Sequence, residues 1–185
     1  MSRRTPPTPA TPPTPATPPT PSGPADHAQH VVDQWSRERP DLDASPILVI
    51  GRLHRVALAL TAELVRVYNG FGLGEGDFDV LATLRRSGAP YELTPTELME
   101  QTMVTSGAVT KRIDRLEGSG LVERRVASSD RRSRIVALTD AGRELMDRAV
   151  PEHLANEARL LSVLDASERR TLADLLGRLG ASLGA

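Results

Sequence analysis

Residues 94–139 read TPTELMEQTMVTSGAVTKRIDRLEGSGLVERRVASSDRRSRIVALT, and this stretch decides the fold of the 185-residue chain. Thr94 followed by Pro95 and Glu97 is typical of a helix start, because hydroxyl and carboxylate can reciprocally satisfy free backbone N–H groups. A second helix is expected from about residue 105 to residue 119, where glycines end it. The stretch therefore predicts two short helices joined by a turn.

Two short apolar segments follow the second helix. Leu121–Val122 and Ile135–Leu138 predict a β-hairpin whose loop, residues 127–134, is rich in arginine. This layout is a winged helix-turn-helix, in which the second helix enters the major groove and the wing reaches the backbone or the minor groove. The expected fold class is mainly α with a small β-hairpin, and the winged helix-turn-helix spans about 77–139.

The charge distribution favours a nucleic-acid partner. The whole chain has a net charge of −1, which says nothing about its partners. Between Thr105 and Arg134, however, eight basic residues stand against four acidic ones, so this segment carries +4 and the rest of the chain −5. A charge cluster alone is more often a solvated face. On a recognition helix and a wing, a local basic surface indicates binding to double-stranded DNA.

Helical spacing separates the inner and outer faces of the second helix. Val109, Ile113 and Leu116 define the stripe expected to be buried. Hydroxyl and basic side chains on the other faces can bond bases or phosphates, and glycine permits close approach. Pairing with neighbouring acids is the alternative for Arg115 or Arg134. The predicted DNA contacts are Ser106, Gly107, Thr110, Lys111 and Arg115 in the helix and Asp130, Arg131, Arg132 and Arg134 in the wing.

Arg112 stands one helical turn from residues of the apolar stripe, so its side chain should point partly inward. A buried arginine requires an anionic partner. Arg124, on the strand that follows, should also face the interior, and Asp79 of the preceding helix is the expected carboxylate. With Trp35, these residues suggest a small pocket for an acidic ligand. A plain buried network of ion pairs is an equal alternative.

The N-terminal region differs from the rest of the chain. Residues 1–24 contain a repeat of PPTPAT and are predicted to be disordered, since proline at this density favours solvated polyproline II. Residues 25–39 predict an added amphipathic helix that carries Trp35, the only tryptophan. Anchoring this helix to the body is an equally good role for the tryptophan.

Long apolar helices are expected on both sides of the winged helix-turn-helix. Residues 47–68 carry a wide apolar stripe, and residues 140–183 end in leucines at helical spacing. Such faces are too exposed to be satisfied within one small domain, so a homodimer is expected. The globular part is therefore 47–183, with these two segments as dimerisation helices.

No catalytic residue, cofactor or metal site is predicted. The sequence has no glycine-rich phosphate loop and no metal-ligand cluster, and His54 and His153 are isolated. The absence of cysteine excludes disulfides and thiol redox sensing. No apolar run approaches the roughly 18 residues of a membrane span, and the N-terminus lacks an apolar signal core. The chain is therefore expected to be cytoplasmic, with no membrane partner.

The segments RLEGSGLVERR at 115–125 and DRRSRIVALT at 130–139 resemble the MarR family of bacterial transcription regulators. The likeness covers roughly 47–183, and four residues fall at the family's wing spacing: Asp130, Arg132, Leu138 and Thr139. The resemblance implies a homodimer. It also implies a wing in which Asp130 braces Arg132 while Arg131 or Arg134 probes the DNA backbone or the minor groove.

Within the family, the chain is similar to the urate-responsive branch, whose added N-terminal helix carries a tryptophan. Its pocket combines that tryptophan, an aspartate at the start of the helix after the long first one, an arginine in the recognition helix and an arginine just beyond it. Trp35, Asp79, Arg112 and Arg124 occupy these places, within DQW, FDVL, TKRID and LVERR. Phe78 stands where a bulkier ring could sit, and the tail is longer and richer in proline. Neither departure removes a ligand group.

The resemblance implies a homodimeric, ligand-responsive transcription regulator, namely a repressor released from a palindromic operator by urate or a similar small anion. The alternative is a winged-helix DNA-binding dimer that responds to a different organic acid or to no ligand. In the latter case the protein would be architectural or an interaction partner, and its inward charges only structural.

Overall fold

The computed structural model describes residues 26–102, 106–126 and 134–184, and for residues 106–108 it describes the backbone alone. These residues confirm a mainly α fold with a small antiparallel sheet. In chain order, the elements are α1 (His27–Glu38), α2 (Pro46–Gly70), α3 (Glu75–Arg86), β1 (Glu92–Leu93), α4 (Pro95–Gln101), α5 (Ser106–Gly118), β2 (Val122–Val126), β3 (Arg134–Leu138), α6 (Asp140–Leu160) and α7 (Ala166–Leu183).

The chain divides into two compact units, residues 1–53 and residues 54–185. In the first unit, Asp26 caps α1, because its carboxylate accepts the backbone N–H of Ala28 at 3.2 Å. The same carboxylate accepts Nε of Arg52, in α2, at 2.8 Å. Ala28 is the buried residue of α1. These contacts fix the start of the added helix on the first turns of α2.

The helix-turn-helix begins as predicted. The Thr94 hydroxyl accepts the backbone N–H of Glu97 at 3.2 Å, and the Glu97 carboxylate accepts the backbone N–H of Thr94 at 2.8 Å, which confirms the capping box. The preceding helix, α3, starts at Glu75. Asp77 lies inside its first turn and accepts the backbone N–H of Gly74 at 3.1 Å.

The two predicted strands pair antiparallel as β2 and β3, and a third strand, β1, extends them to a sheet in the order β1–β3–β2. β2 is longer than the predicted Leu121–Val122, and all five of its residues pair with β3. The sequence does not predict β1, in which Glu92 and Leu93 pair with Ala137 and Val136. Two residues are too few to show an alternating pattern, so only pairing to the free edge of β3 reveals this strand.

The hydrophobic core lies in the second unit, where α3, α4, α5, α6 and the sheet pack together. It is largely aliphatic, in agreement with an aromatic content of 3%. Its most deeply buried side chains are Val80, Leu81, Leu84, Leu98, Val109, Leu116, Val122, Val136 and Met146.

The C-terminal helices differ in how they are packed. α6 continues through Pro151 and ends at Leu160. Asp165 and Glu168 form a capping box at the start of α7. α7 contributes no buried residue over its 18 residues. Four of its five leucines are exposed in the single chain, namely Leu172, Leu175, Leu176 and Leu183.

Two predicted features lie outside the described residues: the proline-rich tail, residues 1–24, and the wing tip, residues 127–133, with Asp130, Arg131 and Arg132. In the part of the chain that the structure does describe, no helix is both long and apolar enough to cross a membrane.

Gly142 provides a test of how α6 packs. A β carbon at this position would lie 2.1 Å from the carbonyl oxygen of Leu121. Because backbone cannot rotate away as a side chain can, Gly142→Ala should lower the free energy of unfolding by about 1–3 kcal/mol in thermal or urea unfolding. Gly70→Ala is the control, since nothing lies within 4 Å of an added β carbon there. Equal stability of the two variants would contradict this packing.

Candidate functional site

α5 presents an apolar inner face and a polar outer face. Val109, Ile113 and Leu116 are 1–3% exposed, which confirms the predicted buried stripe. Thr110 and Lys111 are exposed on the outer face. Since α5 is the second helix of the helix-turn-helix, this outer face is the surface that can enter a major groove.

Arg115, near the end of α5, is tied to a buried carboxylate. Asp77 of α3 is 4% exposed, and its Oδ1 accepts Arg115 Nε at 3.2 Å and also Nη2. Its Oδ2 accepts the Gly74 backbone N–H. A buried carboxylate is tolerated when it is paired and fully hydrogen-bonded in this way. Arg115 thus pairs with an acid, which is the alternative to a DNA contact that the sequence leaves open. Its side chain nevertheless stays 63% exposed.

Arg112 points inward, as its spacing predicts. Its guanidinium lies directly over Gly76 of α3, where an added β carbon would come within 1.9 Å of Cζ. Nη1 of Arg112 is buried and finds no hydrogen-bond partner within the described residues. A buried donor without an acceptor destabilises its site by about 1–3 kcal/mol. This atom therefore marks a point on α5 where an added acceptor would be stabilising.

Arg124 is half-buried on β2, on the same side of the strand as Val122. Its Nη2 donates to Asp114 and its Nη1 to Glu117, both on α5, and its backbone N–H donates to Glu117 Oε1 at 3.1 Å. These bonds raise the pKa of the Arg124 guanidinium, with the bond to Asp114 as the largest cause. The sequence does not predict these two carboxylate partners.

Asp79 lines a cleft of about 720 Å³ between α2, α3 and α6. The cleft has an aromatic wall, in which the rings of Tyr68 and Phe78 stack with centroids 4.3 Å apart. The ring of His153 lies 4.7 Å from that of Phe78. Asp79 follows Gly76 by three residues, so the two lie about 60° apart around α3. The cleft and the buried arginine of α5 therefore adjoin the same turn of α3.

Acidic groups surround the aromatic wall of this cleft. The Tyr68 hydroxyl lies 3.3 Å from Nδ1 of His153, whose Nε2 lies 3.2 Å from Glu157. Burial raises the pKa of Tyr68 to about 12, and the charges of Glu157, Glu75 and Asp79 add to this shift. The phenol therefore stays protonated near neutral pH. The cleft is lined by four carboxylates and two arginines, so an anion there needs an arginine as its partner; these residues are Glu75, Asp79, Asp147, Glu157, Arg85 and Arg86.

The other predicted residues are distributed as follows. Trp35 lies on α1 in the first unit, and 45% of its surface is exposed. Arg134 is exposed at the start of β3, opposite Val126 of β2. Ser106 and Gly107 are the first residues of α5, and their side chains are not described.

Three acids of this region are missing from the sequence prediction: Asp77, Asp114 and Glu117. Asp114 and Glu117 stand three apart on α5, so their shared side of the helix was readable from spacing. Their partner on β2 was not, because it depends on how the strand folds back. Among the described residues, no group of His, Asp and Glu side chains could hold a metal ion.

A capped helix, a second helix with a polar outer face and an antiparallel strand pair define the winged helix-turn-helix class of DNA-binding transcription regulators. A model of the MarR family matches residues 71–133. The transcriptional regulator PecS of Dickeya dadantii is 44% identical over 149 residues, which make up 80% of this chain and 90% of PecS. The chain belongs to the MarR family of transcription regulators.

Solved structures agree with this assignment. The MarR family regulator Sco3205 of Streptomyces coelicolor, in complex with DNA, matches with a TM-score of 0.70 and 25% identity, over 78% of this chain and 91% of that one. BpsR of Bordetella bronchiseptica, whose DNA binding is regulated by 6-hydroxynicotinic acid, matches with a TM-score of 0.62 and 26% identity, over 71% and 92%. The protein is a regulator of transcription and not an enzyme.

The buried carboxylate of Asp77 should hold α5 against α3. Asp77→Asn keeps the size of the side chain but removes the charge that Arg115 faces. It should therefore lower the free energy of unfolding by about 1–3 kcal/mol and weaken operator binding. Thermal unfolding and DNA titration measure the two effects.

The matched control for this variant is Asp147→Asn. It removes another ion pair of α3, the 2.8 Å contact between Asp147 and Arg85. That pair is partly exposed, at 34% and 45% of the two side chains, and joins α3 to α6 instead of α5, so its loss should change stability by less than about 1 kcal/mol. If both variants lose equal stability and operator affinity, Asp77 has no special role in placing α5.

Proposed function

We propose that this protein is a homodimeric repressor that leaves a palindromic operator when urate or a similar small anion binds. The single observation that supports ligand control most directly is the buried Nη1 of Arg112, a donor without a hydrogen-bond partner among the described residues. Because Arg112 belongs to α5, a ligand that satisfies this donor acts on the DNA-reading helix itself.

Binding to DNA is assigned to the outer face of α5 and to the wing. The exposure of Thr110 and Lys111 beside the buried stripe supports this assignment. The complex of Sco3205 with DNA is a precedent in a structure of the same fold. The proposed contacts are Ser106, Gly107, Thr110, Lys111 and Arg115 on α5 and Asp130, Arg131, Arg132 and Arg134 in the wing.

Self-association is supported by the exposed leucines of α7. Leu172, Leu175, Leu176 and Leu183 are 40–74% exposed, and α7 buries none of its residues in its own chain. On α2, the apolar Val56 is also 53% exposed. Apolar stripes of this length are normally covered, and a second copy of the chain offers the same stripes in return. We therefore assign α2, α6 and α7 to dimerisation.

The ligand site is assigned to Asp79, Arg112 and Arg124, as the family resemblance implies. Its chemistry favours a flat acid. The guanidinium of Arg112 offers a buried donor, and the nearby cleft has stacked rings against which a flat molecule can pack. A flat acid regulates DNA binding by BpsR. The acids around the cleft require that the charge of the ligand be met by arginine.

A second candidate function is a regulator that responds to another organic acid or to none. The favouring observation is that Arg124 already has two carboxylate partners and Arg115 has one. These pairs are complete without a ligand, as expected for a structural network. Only Arg112 among these arginines retains a buried donor without a partner in the described part of the chain.

Ligand control can be tested with sodium urate. Urate should raise the melting temperature of the wild type by mass action and weaken operator binding, with a coupling of about 1–3 kcal/mol. Arg112→Gln should lose both effects. Arg143→Gln is the control, because Arg143 is an exposed arginine on α6 whose partner, Asp140, is also exposed. Arg143→Gln removes the same charge as Arg112→Gln, but urate should still raise its melting temperature and still weaken its operator binding.

The same titrations with 6-hydroxynicotinate and citrate decide between ligands. If one of these acids releases the protein from the operator and urate does not, the proposed site is retained and that acid replaces urate as the proposed ligand. If no acid stabilises the wild type or releases it from DNA, the regulator without a ligand is the correct alternative.

Dimerisation can be tested on α7. Leu176→Glu places a charge within the exposed leucine stripe and should shift the protein towards monomer in light scattering, with a loss of operator affinity. Ala181→Glu adds the same charge on the opposite side of α7, away from the leucines, and should leave the dimer intact. A wild type that is monomeric at micromolar concentration would refute the proposed assembly.

A further inference from the structure

Arg124 connects the wing to the recognition helix through charge. Its guanidinium donates to Asp114 and to Glu117, so one cation on β2 is shared between two carboxylates on α5. The side chain of Arg124 is 28% exposed, whereas those of Asp114 and Glu117 are 60% and 39% exposed. The carboxylates are therefore on the solvent side of the contact and the cation is behind them.

Asp114 lies on the same face as the residues assigned to DNA. It follows Thr110 by four residues and Lys111 by three, which puts all three on one side of α5. All three are exposed. A carboxylate in this position would approach DNA phosphates when the helix enters the major groove. Glu117 stands one turn further, near the end of the same helix.

We propose that Arg124 is a positioning residue whose main task in DNA binding is to neutralise Asp114 and Glu117. The group of three carries a charge of −1 with Arg124 in place and −2 when its guanidinium is removed or engaged elsewhere. Repulsion between the exposed carboxylates and DNA phosphates then increases. At physiological ionic strength such repulsion acts over about 8 Å, so it reaches the phosphates that flank the groove.

This role deepens the proposed function, and its ligand part rests on that function. A small anion that takes the guanidinium of Arg124 competes with Asp114 and Glu117 for the same N–H donors. When it wins, the two carboxylates lose their counter-ion while still on the DNA-reading helix. Release from DNA then requires no large movement, because the ligand changes the charge that α5 presents to the phosphates.

A mutant cycle tests the role without any ligand. Arg124→Gln, the double variant Asp114→Asn/Glu117→Gln and the triple variant are compared with the wild type by fluorescence anisotropy. The probes are an operator duplex that the wild type selects from random-sequence DNA and an unrelated duplex of equal length. Arg124→Gln should weaken binding to both duplexes about fivefold to tenfold at low salt, and added salt should reduce this deficit.

The triple variant is the decisive sample. It should return to within about twofold of wild-type affinity, although it lacks all of these ion pairs. A purely structural role for Arg124, or its direct contact with a phosphate, predicts that the triple variant stays as weak as Arg124→Gln, and this result would overturn the proposal. Arg125→Gln is the charge-matched control. Its partners are Glu92 at 3.5 Å and Glu123 at 3.2 Å, neither on α5, so affinity should change less than twofold.

The double variant keeps the cycle informative if Arg124→Gln does not fold. With Arg124 present and both carboxylates neutralised, binding to either duplex should become tighter than in the wild type. Unchanged or weaker binding would refute the proposal.

Sodium urate then separates the two proposals. If urate releases the wild type, the double variant should still bind urate in calorimetry but be released less. Full release of the double variant would overturn the ligand part of this inference and leave the proposed function standing. If neither urate nor the other acids release the wild type, ligand control as proposed fails, and the ligand-free cycle alone decides the role of Arg124.

Discussion

The position of the recognition helix depends on the buried carboxylate of Asp77. At 4% exposure, this group would be strongly destabilising without compensation, and it is compensated by the guanidinium of Arg115 and by the backbone N–H of Gly74, the N-cap residue of α3. The same turn carries Gly76, whose missing side chain makes room for Arg112. One turn of α3 therefore receives two arginines of α5, while the apolar stripe of α5 packs into the core.

Holding a helix by ion pairs has consequences that packing alone would not have. Apolar contacts are non-directional, whereas a guanidinium that loses its carboxylate can be satisfied by another anion. On one side, α5 is held by the Asp77 pair, and on the other, by the bonds from Arg124 to Asp114 and Glu117. In each contact, another anion could replace the carboxylate with little change in core packing. This is the kind of element that a small acid can bias by a few kcal/mol.

The sequence predicts the parts of this arrangement that repeat or lie close together in the chain. Thr94 and Glu97, which cap α4, are only three residues apart in the chain, so the start of this helix was predictable. The buried stripe of α5 was predictable too, because Val109, Ile113 and Leu116 follow helical spacing. β1 was not, because two residues show no periodicity. The inward direction of Arg112 was predictable from its spacing. The partners of Arg115 and Arg124 were not, since they depend on how α3 and β2 meet α5.

The two arginines of the proposed ligand site are unequal as anion receptors. Arg124 is already satisfied by two carboxylates, so an anion gains there only the difference between its own bonds and those it replaces. Arg112 retains a buried donor without a partner in the described residues, so an acceptor there removes a desolvation penalty. Affinity should therefore come mainly from Arg112, and the effect on DNA mainly from Arg124. An acid that reaches only Arg112 would bind without full release, whereas one that spans both would couple binding to release.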